Sequence, residues 1–369
     1  MNPKNILITG GCGFIGVNLV NYLLRKGSYY MRILDNLSTG TRENLEDALR
    51  ENGEIISGIR SDKIAYTFKS TLDEDGSAID LMMGDIRSYE TCLKATQNID
   101  WVVHLAAHPG VLPSIEDPFY DCDVNVKGTL NLLHASVRNN VDKFIFASSN
   151  APLGNQRPPV SEETVPNPLS PYGASKLACE GYCSAFHSSY GIKTISLRFS
   201  NVYGPYSLQK KSVVAKFMKD GLLKGELTIH GKGRQARDFI HVDDISQAIY
   251  LVLETPLTSN EIWGNPLNLG TGQKTSILSL AKMVQGLFAH AIRISFTSER
   301  RGEIKRTYSD ITKARNLIGF SPQISIQNGC RSVYRWFMSK DINEVKRACT
   351  LPKGNCAEEG GHESKAGGT

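Results

Sequence analysis

What this chain lacks narrows it first. No apolar run approaches the ~20 residues that a membrane-spanning helix needs, so a helical anchor is not expected. The opening MNPKNILITGG sets one lysine ahead of a short apolar run, but glycines end that run far short of a secretory signal core. The eight cysteines include no C-x-x-C and no metal-type pairing with histidine, so no metal is expected. Cys179 and Cys183 share a helical face, yet two thiols alone make a poor metal site. Scattered thiols in a chain of this size suit a reducing compartment, and the cytoplasm is the expected location. Charge of one sign hardly dominates: 42 Lys and Arg against 37 Asp and Glu leave +5. The basic residues are dispersed, which argues against nucleic acid as a partner while suiting a small anionic substrate. Internal repeats are absent too.

What remains is an ordinary globular composition, 40% apolar and 21% charged over 369 residues, enough for one large or two modest domains. Short apolar runs alternate with helical patterns through the first half. Strands are expected at Asn5–Thr9, Met31–Leu34, Ile79–Met83, Trp101–Leu105, Lys143–Ala147 and Thr194–Arg198, the last closing the series. Helices are expected at Phe14–Lys26, Val124–Arg138 and Pro171–Tyr190. Alternation of this kind predicts an α/β fold, a parallel sheet covered on both faces. After Asn201 the pattern loosens into short mixed elements, and Asp243–Glu254 reads as a helix returning to the first unit. Residues 41–78, rich in Glu, Asp, Gly and Ser, form a long connection that suggests a small surface excursion. From Ser339 the chain turns small and polar, and 339–369 is expected to be a disordered tail.

Gly10-Gly11-Cys12-Gly13-Phe14-Ile15-Gly16 carries G-x-G-x-x-G between a predicted strand and helix. Glycines at that place permit a tight turn and bring backbone N–H groups against a pyrophosphate. Asp35 ends the next strand, about 20 residues on, placed to accept from an adenosine ribose. An acid there repels a 2′-phosphate, so NAD is expected rather than NADP. Tyr172 and Lys176 stand at i and i+4, on one helical face. A cation beside a phenol favours the phenolate, a base usable near neutral pH.

With ITGGCGFIG, LDNLSTG, GDIRS, HLAAHPGV, NVKGTLNLL, FIFASSN, SPYGASK, LRFSNVYGP, GRQARDFIHVDD, NLGTG and ERRGE…SDITKA in order from about residue 4 to 337, the chain resembles the extended short-chain dehydrogenases/reductases. Within them it is similar to the NAD-dependent nucleotide-sugar epimerase/dehydratase group. The resemblance implies a Rossmann-type doubly wound parallel sheet with a smaller, discontinuous α/β substrate domain. We expect 1–200 plus 240–262 to form the first and 201–239 plus 263–338 the second. It implies that Asn36, Asp85, Ile86, Leu105, Ala106, Ala107 and Asn125 join Gly10, Gly13, Phe14, Ile15, Gly16 and Asp35 around the cofactor. Asn201, Arg237, Arg300 and Glu303 would hold the nucleotide diphosphate, the two arginines being suitable partners on chemical grounds. The helices 124–138 and 171–190 would pair with those of a second subunit in a homodimer.

The strand end Ser148-Ser149-Asn150-Ala151-Pro152-Leu153-Gly154 bears on the reaction. Aligned on the family's Ser-(Ser/Thr)-x-x-Val-Tyr-Gly, the catalytic hydroxyl falls on Ser149, and Ser148 packs or contacts cofactor. The group's dehydratases carry Asp-Glu after this hydroxyl and its decarboxylases Ser-Glu. Asn150-Ala151 offers no such base, while Pro152-Leu153 replaces Val-Tyr. Asn150 either hydrogen-bonds the sugar or satisfies the turn. The implied activity is NAD-dependent 4-epimerisation of a UDP-hexose, with Ser149, Tyr172 and Lys176 as the triad and no membrane partner. The alternatives are 4-epimerisation of UDP-glucuronate, disfavoured by Leu112 where that group commonly has Arg, a dehydratase or reductase with a base such as His108 or Glu162, and a non-catalytic NAD-sensing protein.

Overall fold

Apolar residues repeat with the period of a pleated strand, so successive side chains enter cores on opposite faces of one sheet. The computed structural model describes residues 4–27, 29–51, 65–69, 78–299 and 304–350. Its main strands are β1 (Asn5–Thr9), β2 (Tyr30–Asp35), β3 (Ala65–Lys69), β4 (Ala78–Met83), β5 (Trp101–His104), β6 (Lys143–Ser149) and β7 (Lys193–Phe199). Later come β8 (Asn201–Tyr203), β9 (Glu226–His230), β10 (Ala236–Arg237), β11 (Phe239–His241), β12 (Pro266–Leu269), β13 (Thr275–Ser276) and β14 (Arg293–Thr297). The sheet runs β12-β7-β6-β5-β1-β2-β4-β3, parallel except for β3, which pairs antiparallel with β4 at one edge. This is the expected Rossmann-type α/β architecture.

Ile6, Ile8, Val103 and Ile145 point into a core shared with the Phe14–Leu24 and Val242–Glu254 helices. Leu7, Val102, Phe144 and Phe146 point to the other face, beneath the Tyr89–Ala95, Gly128–Arg138 and Pro171–Tyr190 helices. The helix at 242–254 is the expected return to the first unit, and Lys143 fastens its end by donating to the carbonyl of Leu253 and, at 2.7 Å, that of Thr255.

Three differences from the sequence reading have physical causes. β7 does not close the sheet: β12 pairs beyond it, from Pro266↔Ser196 to Leu269↔Phe199, although its numbers fall in the stretch assigned to the second domain. The connection 41–78 holds an amphipathic helix, Arg42–Glu51, with Leu45, Ala48 and Leu49 buried, and the edge strand β3; residues 52–64 and 70–77 lie outside the described residues. The presumed tail begins with a helix, Ile342–Thr350, whose Val345 is fully buried; residues 351–369 lie outside the described residues.

A second core gathers Phe217, Leu227, Ile229, Leu280, Val333 and Phe337. Around it stand the parallel pair β9 and β14 and the helices Val213–Lys224, Ile277–Gln285 and Ile326–Met338. This layer faces the C-terminal ends of the sheet strands, and the paired strands β8 and β11 contribute side chains to both cores.

Candidate active site

β1 lies between β5 and β2, where the strand order reverses, so loops leaving its C-terminal end open a crevice. Gly10 there has φ +70°, and a Cβ on it would lie 2.7 Å from the Ala106 nitrogen. On Gly16 a Cβ would lie 2.3 Å from the Gly10 carbonyl. Gly13 caps the Phe14–Leu24 helix without a side-chain bond, so its first-turn N–H groups face the crevice unclaimed by any cap. Such a cradle fits a dinucleotide pyrophosphate.

Asp35, 7% exposed, accepts from the backbone of Cys12 at 2.9 Å and of Leu37 at 2.8 Å. It therefore also holds the glycine loop, burial pushing its carboxyl up against the pull of these donors. Asn36 donates to Asp85 at 3.0 Å. Burial of Asp85 is outweighed by its bonds with Arg87, which hold it below the usual carboxylate range. Ile86 turns its side chain into the core, where a Cβ on Gly128 would touch it at 2.6 Å, and its carbonyl accepts from Asn131 at 3.1 Å. Leu105, Ala106 and Ala107 follow β5 and stay partly exposed at the crevice. Behind them His104, 1% exposed, joins the hydroxyls of Thr9 (2.7 Å) and Thr129 (2.9 Å). Burial, helped by the charge of Lys176, lowers its pKa to about 3. Asn125 sits in a π-helical turn, Asp123–Lys127, and clamps the loop after β5: it accepts from His108 N–H at 2.8 Å and donates to Asp121 at 2.9 Å.

β6 presents its last residues to opposite sides. Ser148 turns inward to Glu180 at 2.5 Å, and Glu180 also takes two bonds from buried Arg198 (3.0 and 2.7 Å). Ser149 points the other way, onto the cavity wall with Tyr172, and its hydroxyl accepts from the Ala151 N–H at 3.2 Å. The helix bearing Tyr172 starts where it does because Ser170 accepts from Gly173 N–H at 3.1 Å and Pro171 fits the first turn. One turn on, Lys176 donates to the Ala147 carbonyl at 2.8 Å and lies 4.6 Å from the Phe146 ring and 5.9 Å from that of Tyr172. The expected lowering of the phenol is not what the chain alone produces. Burial pushes Tyr172 up to about 12, the Ser149 bond working against it and the Asp121 charge with it. Burial lowers Lys176 in turn.

The segment after Ser149 is a 3-10 turn, Ala151–Leu153. Asn150 donates to Ser200 and Ser309, each at 3.0 Å, so its amide holds the turn. Gly154 has φ +68°, and a Cβ there would lie 1.9 Å from the Asn167 carbonyl. Glu162 is spent on the Asn268 N–H of β12, 2.7 Å away.

Between the two cores lies a cavity of about 410 Å³, lined by Phe14, Ile15, Ser149, Tyr172, Asn201 and Arg237 among others. Lys210, Lys211 and Lys216 also line it, and among the described residues no carboxylate does. The sequence reading missed these lysines. Their only signal was a Lys-Lys pair just past the YGP motif, which resembles any surface pair. Arg300 and Glu303 lie outside the described residues. The cavity thus joins the hydroxyls of Ser149 and Tyr172 to a basic wall.

Residues 6–270 match the NAD dependent epimerase/dehydratase family. A UDP-glucose 4-epimerase of Mycolicibacterium smegmatis is 32% identical, covering 90% of this chain and 98% of its own length. A UDP-glucuronic acid 4-epimerase from Bacillus cereus, crystallised with UDP-glucuronic acid and NAD, superposes with a TM-score of 0.77 at 30% identity, covering 91% of this chain and 99% of that one. A UDP-N-acetylglucosamine 4-epimerase from Methanobrevibacter ruminantium, in complex with UDP-N-acetylmuramic acid, gives 0.78 at 30% identity, with 92% and 99% covered.

Proposed function

The chain belongs to the NAD-dependent epimerase/dehydratase family, and on that premise we propose that it interconverts the C4 epimers of a UDP-hexose of the UDP-glucose/UDP-galactose type. The observation that carries this reading is the composition of the cavity wall: Ser149 and Tyr172 at one end, cations along it, and among the described residues no carboxylate. A dehydratase must take the C5 proton once C4 is a ketone. Among the described residues no lining side chain is an acid that does this, and an amide such as Asn150 accepts no proton at neutral pH.

In this reading Tyr172 exchanges a proton with the sugar 4-hydroxyl, and Ser149, on the same cavity wall, orients or relays that proton. Lys176 is held by the Ala147 carbonyl at 2.8 Å, so its ammonium stays beside the phenol rather than in solvent. The glycine loop and Asp35 would hold NAD, which when bound would supply a reversible hydride acceptor and a positive charge. The chain's own contribution is to keep the phenol beside the 4-hydroxyl and the sugar enclosed in the cavity. Arg237 and Asn201 lie along the wall where the diphosphate would run. Leu112 is 64% exposed and brings no charge for a sugar carboxylate, which favours a hexose over a uronate.

We place the enzyme in the cytoplasm, supported by the seven described cysteines all being free. Among the described residues no helix is long and apolar enough to cross a membrane. We also propose a homodimer through the 171–190 helix face, where Tyr182 and Tyr190 leave 38% and 57% of their surface exposed. Phe186, on the same helix, is buried on the sheet.

The test is proton NMR of the purified protein with UDP-glucose, UDP-galactose, UDP-glucuronate and UDP-N-acetylglucosamine. Interconversion of the first two, faster than any change in the others, is the expected result. A 4-keto-6-deoxy product, or no turnover of any hexose, removes the reading.

A further inference from the structure

One cation on the cavity wall has no role so far. Lys210 belongs to the loop between β8 and the Val213–Lys224 helix, and its ammonium lies 5.7 Å from the centroid of the Phe14 ring. Phe14 opens the glycine-loop helix, and its ring is near enough to Gly204 that a Cβ there would meet it at 3.5 Å. The 204–210 loop therefore reaches across the crevice to the place where a phosphate is expected. The loop is anchored from behind: Lys210 N–H donates to the Ser207 carbonyl at 3.0 Å, and Lys219 donates to the carbonyls of Leu208 and Lys210, each at 3.0 Å. These bonds hold the loop's backbone and leave the Lys210 ammonium out of them.

Its neighbours are differently placed. Lys216 and Lys224 both pair with Asp220, and Lys211 stands exposed. Lys210 is partly buried, and among the described residues no carboxylate pairs with it. Burial holds its ammonium below the ordinary lysine range. A contact with an aromatic face compensates only part of the hydration an ammonium gives up. An anion that entered the cavity would supply the rest.

We propose that Lys210 binds a diphosphate oxygen of the ligand in this cavity, leaving the Phe14 ring for it and so fastening the 204–212 loop over the crevice. The shared chemistry is a diphosphate, either the nucleotide sugar's or the dinucleotide's, and the assignment rests on the functional reading above. Lys210→Met keeps the stem and removes the charge, while Lys210→Arg keeps a charge. Calorimetry with UDP and with uridine, and fluorescence titration with NADH, compare both variants with the wild type. Loss of a charge-assisted hydrogen bond should weaken UDP or NADH by about ten- to a hundredfold in Lys210→Met. Uridine binding should not change, and Lys210→Arg should recover most of the affinity. A loss confined to UDP assigns the nucleotide-sugar diphosphate, and one confined to NADH the dinucleotide's. Unchanged UDP and NADH affinities overturn the proposal, as does an equal loss for uridine and UDP, which would mark a collapsed loop. A wild type that binds UDP through Lys210 yet epimerises no UDP-hexose would sink the functional reading and leave this one standing. Turnover together with full affinity for both UDP and NADH in Lys210→Met would do the reverse.

Discussion

In the proposed reaction Tyr172 has to release a proton where burial pushes its pKa up to about 12, so the groups around it would decide whether it works. Tyr172→Phe and Lys176→Ala should each lower turnover by about 10²–10⁴-fold or more, the usual contribution of a general acid–base group. Ser149→Ala should follow them, whereas Ser148→Ala should spare the chemistry. The Ser148 hydroxyl faces Glu180, so its loss should appear as about 1–3 kcal/mol of stability instead. Stopped assays and urea denaturation separate the two, and a Ser148 variant slower than the Ser149 one would mean the strand end is misread. His104 makes a second, titratable prediction. Its pKa falls from 6.5 to about 3 on folding, so the unfolded chain binds the proton first. Stability from keeping it neutral is complete above pH 6.5 and is lost as pH falls toward 3. His104→Gln should flatten the acid limb of a plot of unfolding free energy against pH; curves that stay parallel would refute this.

At the scale of elements, the proposed reaction type rests on the 3-10 turn after β6. Its amide is engaged with Ser200 and Ser309, and the two remote bases considered from sequence are both placed elsewhere. Glu162 serves β12, and His108 sits beside Asp121, with Nδ1 4.0 Å from the carboxylate and outside the cavity lining. UDP-glucose turned over in D2O should therefore yield its epimer with no deuterium at C5, and mass or NMR evidence of C5 label would mean a relocated base. Much of this was legible in the sequence. The Pro171–Tyr190 helix shows its limits through Ser170, Pro171 and Gly191, and β1 through its run into glycines. β12 was not, because four residues, Pro266–Leu269, in a glycine- and proline-rich stretch carry too little periodicity to stand out. The Ile342–Thr350 helix was hidden by the small polar residues after it, although Val345 and Ala348 share a face. Lys210 was invisible for another reason: its meaning comes from Phe14, nearly the whole first unit away in sequence.

The molecule as a whole keeps its cofactor crevice between a glycine loop and a second core, and the proposed cycle ends with no net change of redox state. NAD should therefore copurify, and nucleotide analysis of heat-released supernatant should find it; recovery of NADP instead would overturn the Asp35 argument. The exposed tyrosines of the 171–190 helix lead us to expect a dimer, and light scattering at micromolar protein that gives a monomer mass would remove that expectation. The position of β12 has a consequence for how the chain is made. As it leaves the ribosome, β1 to β7 can assemble once Phe199 has emerged, but the outer flank of β7 stays an open edge until Leu269 follows. Open edges recruit other strands, so a nascent chain stalled in that interval is exposed to mispairing with its neighbours. The helix 242–254 is translated just before β12 and packs on the glycine-loop helix. Translation speed across residues 200–270 should thus govern the yield of folded enzyme more than speed elsewhere in the message.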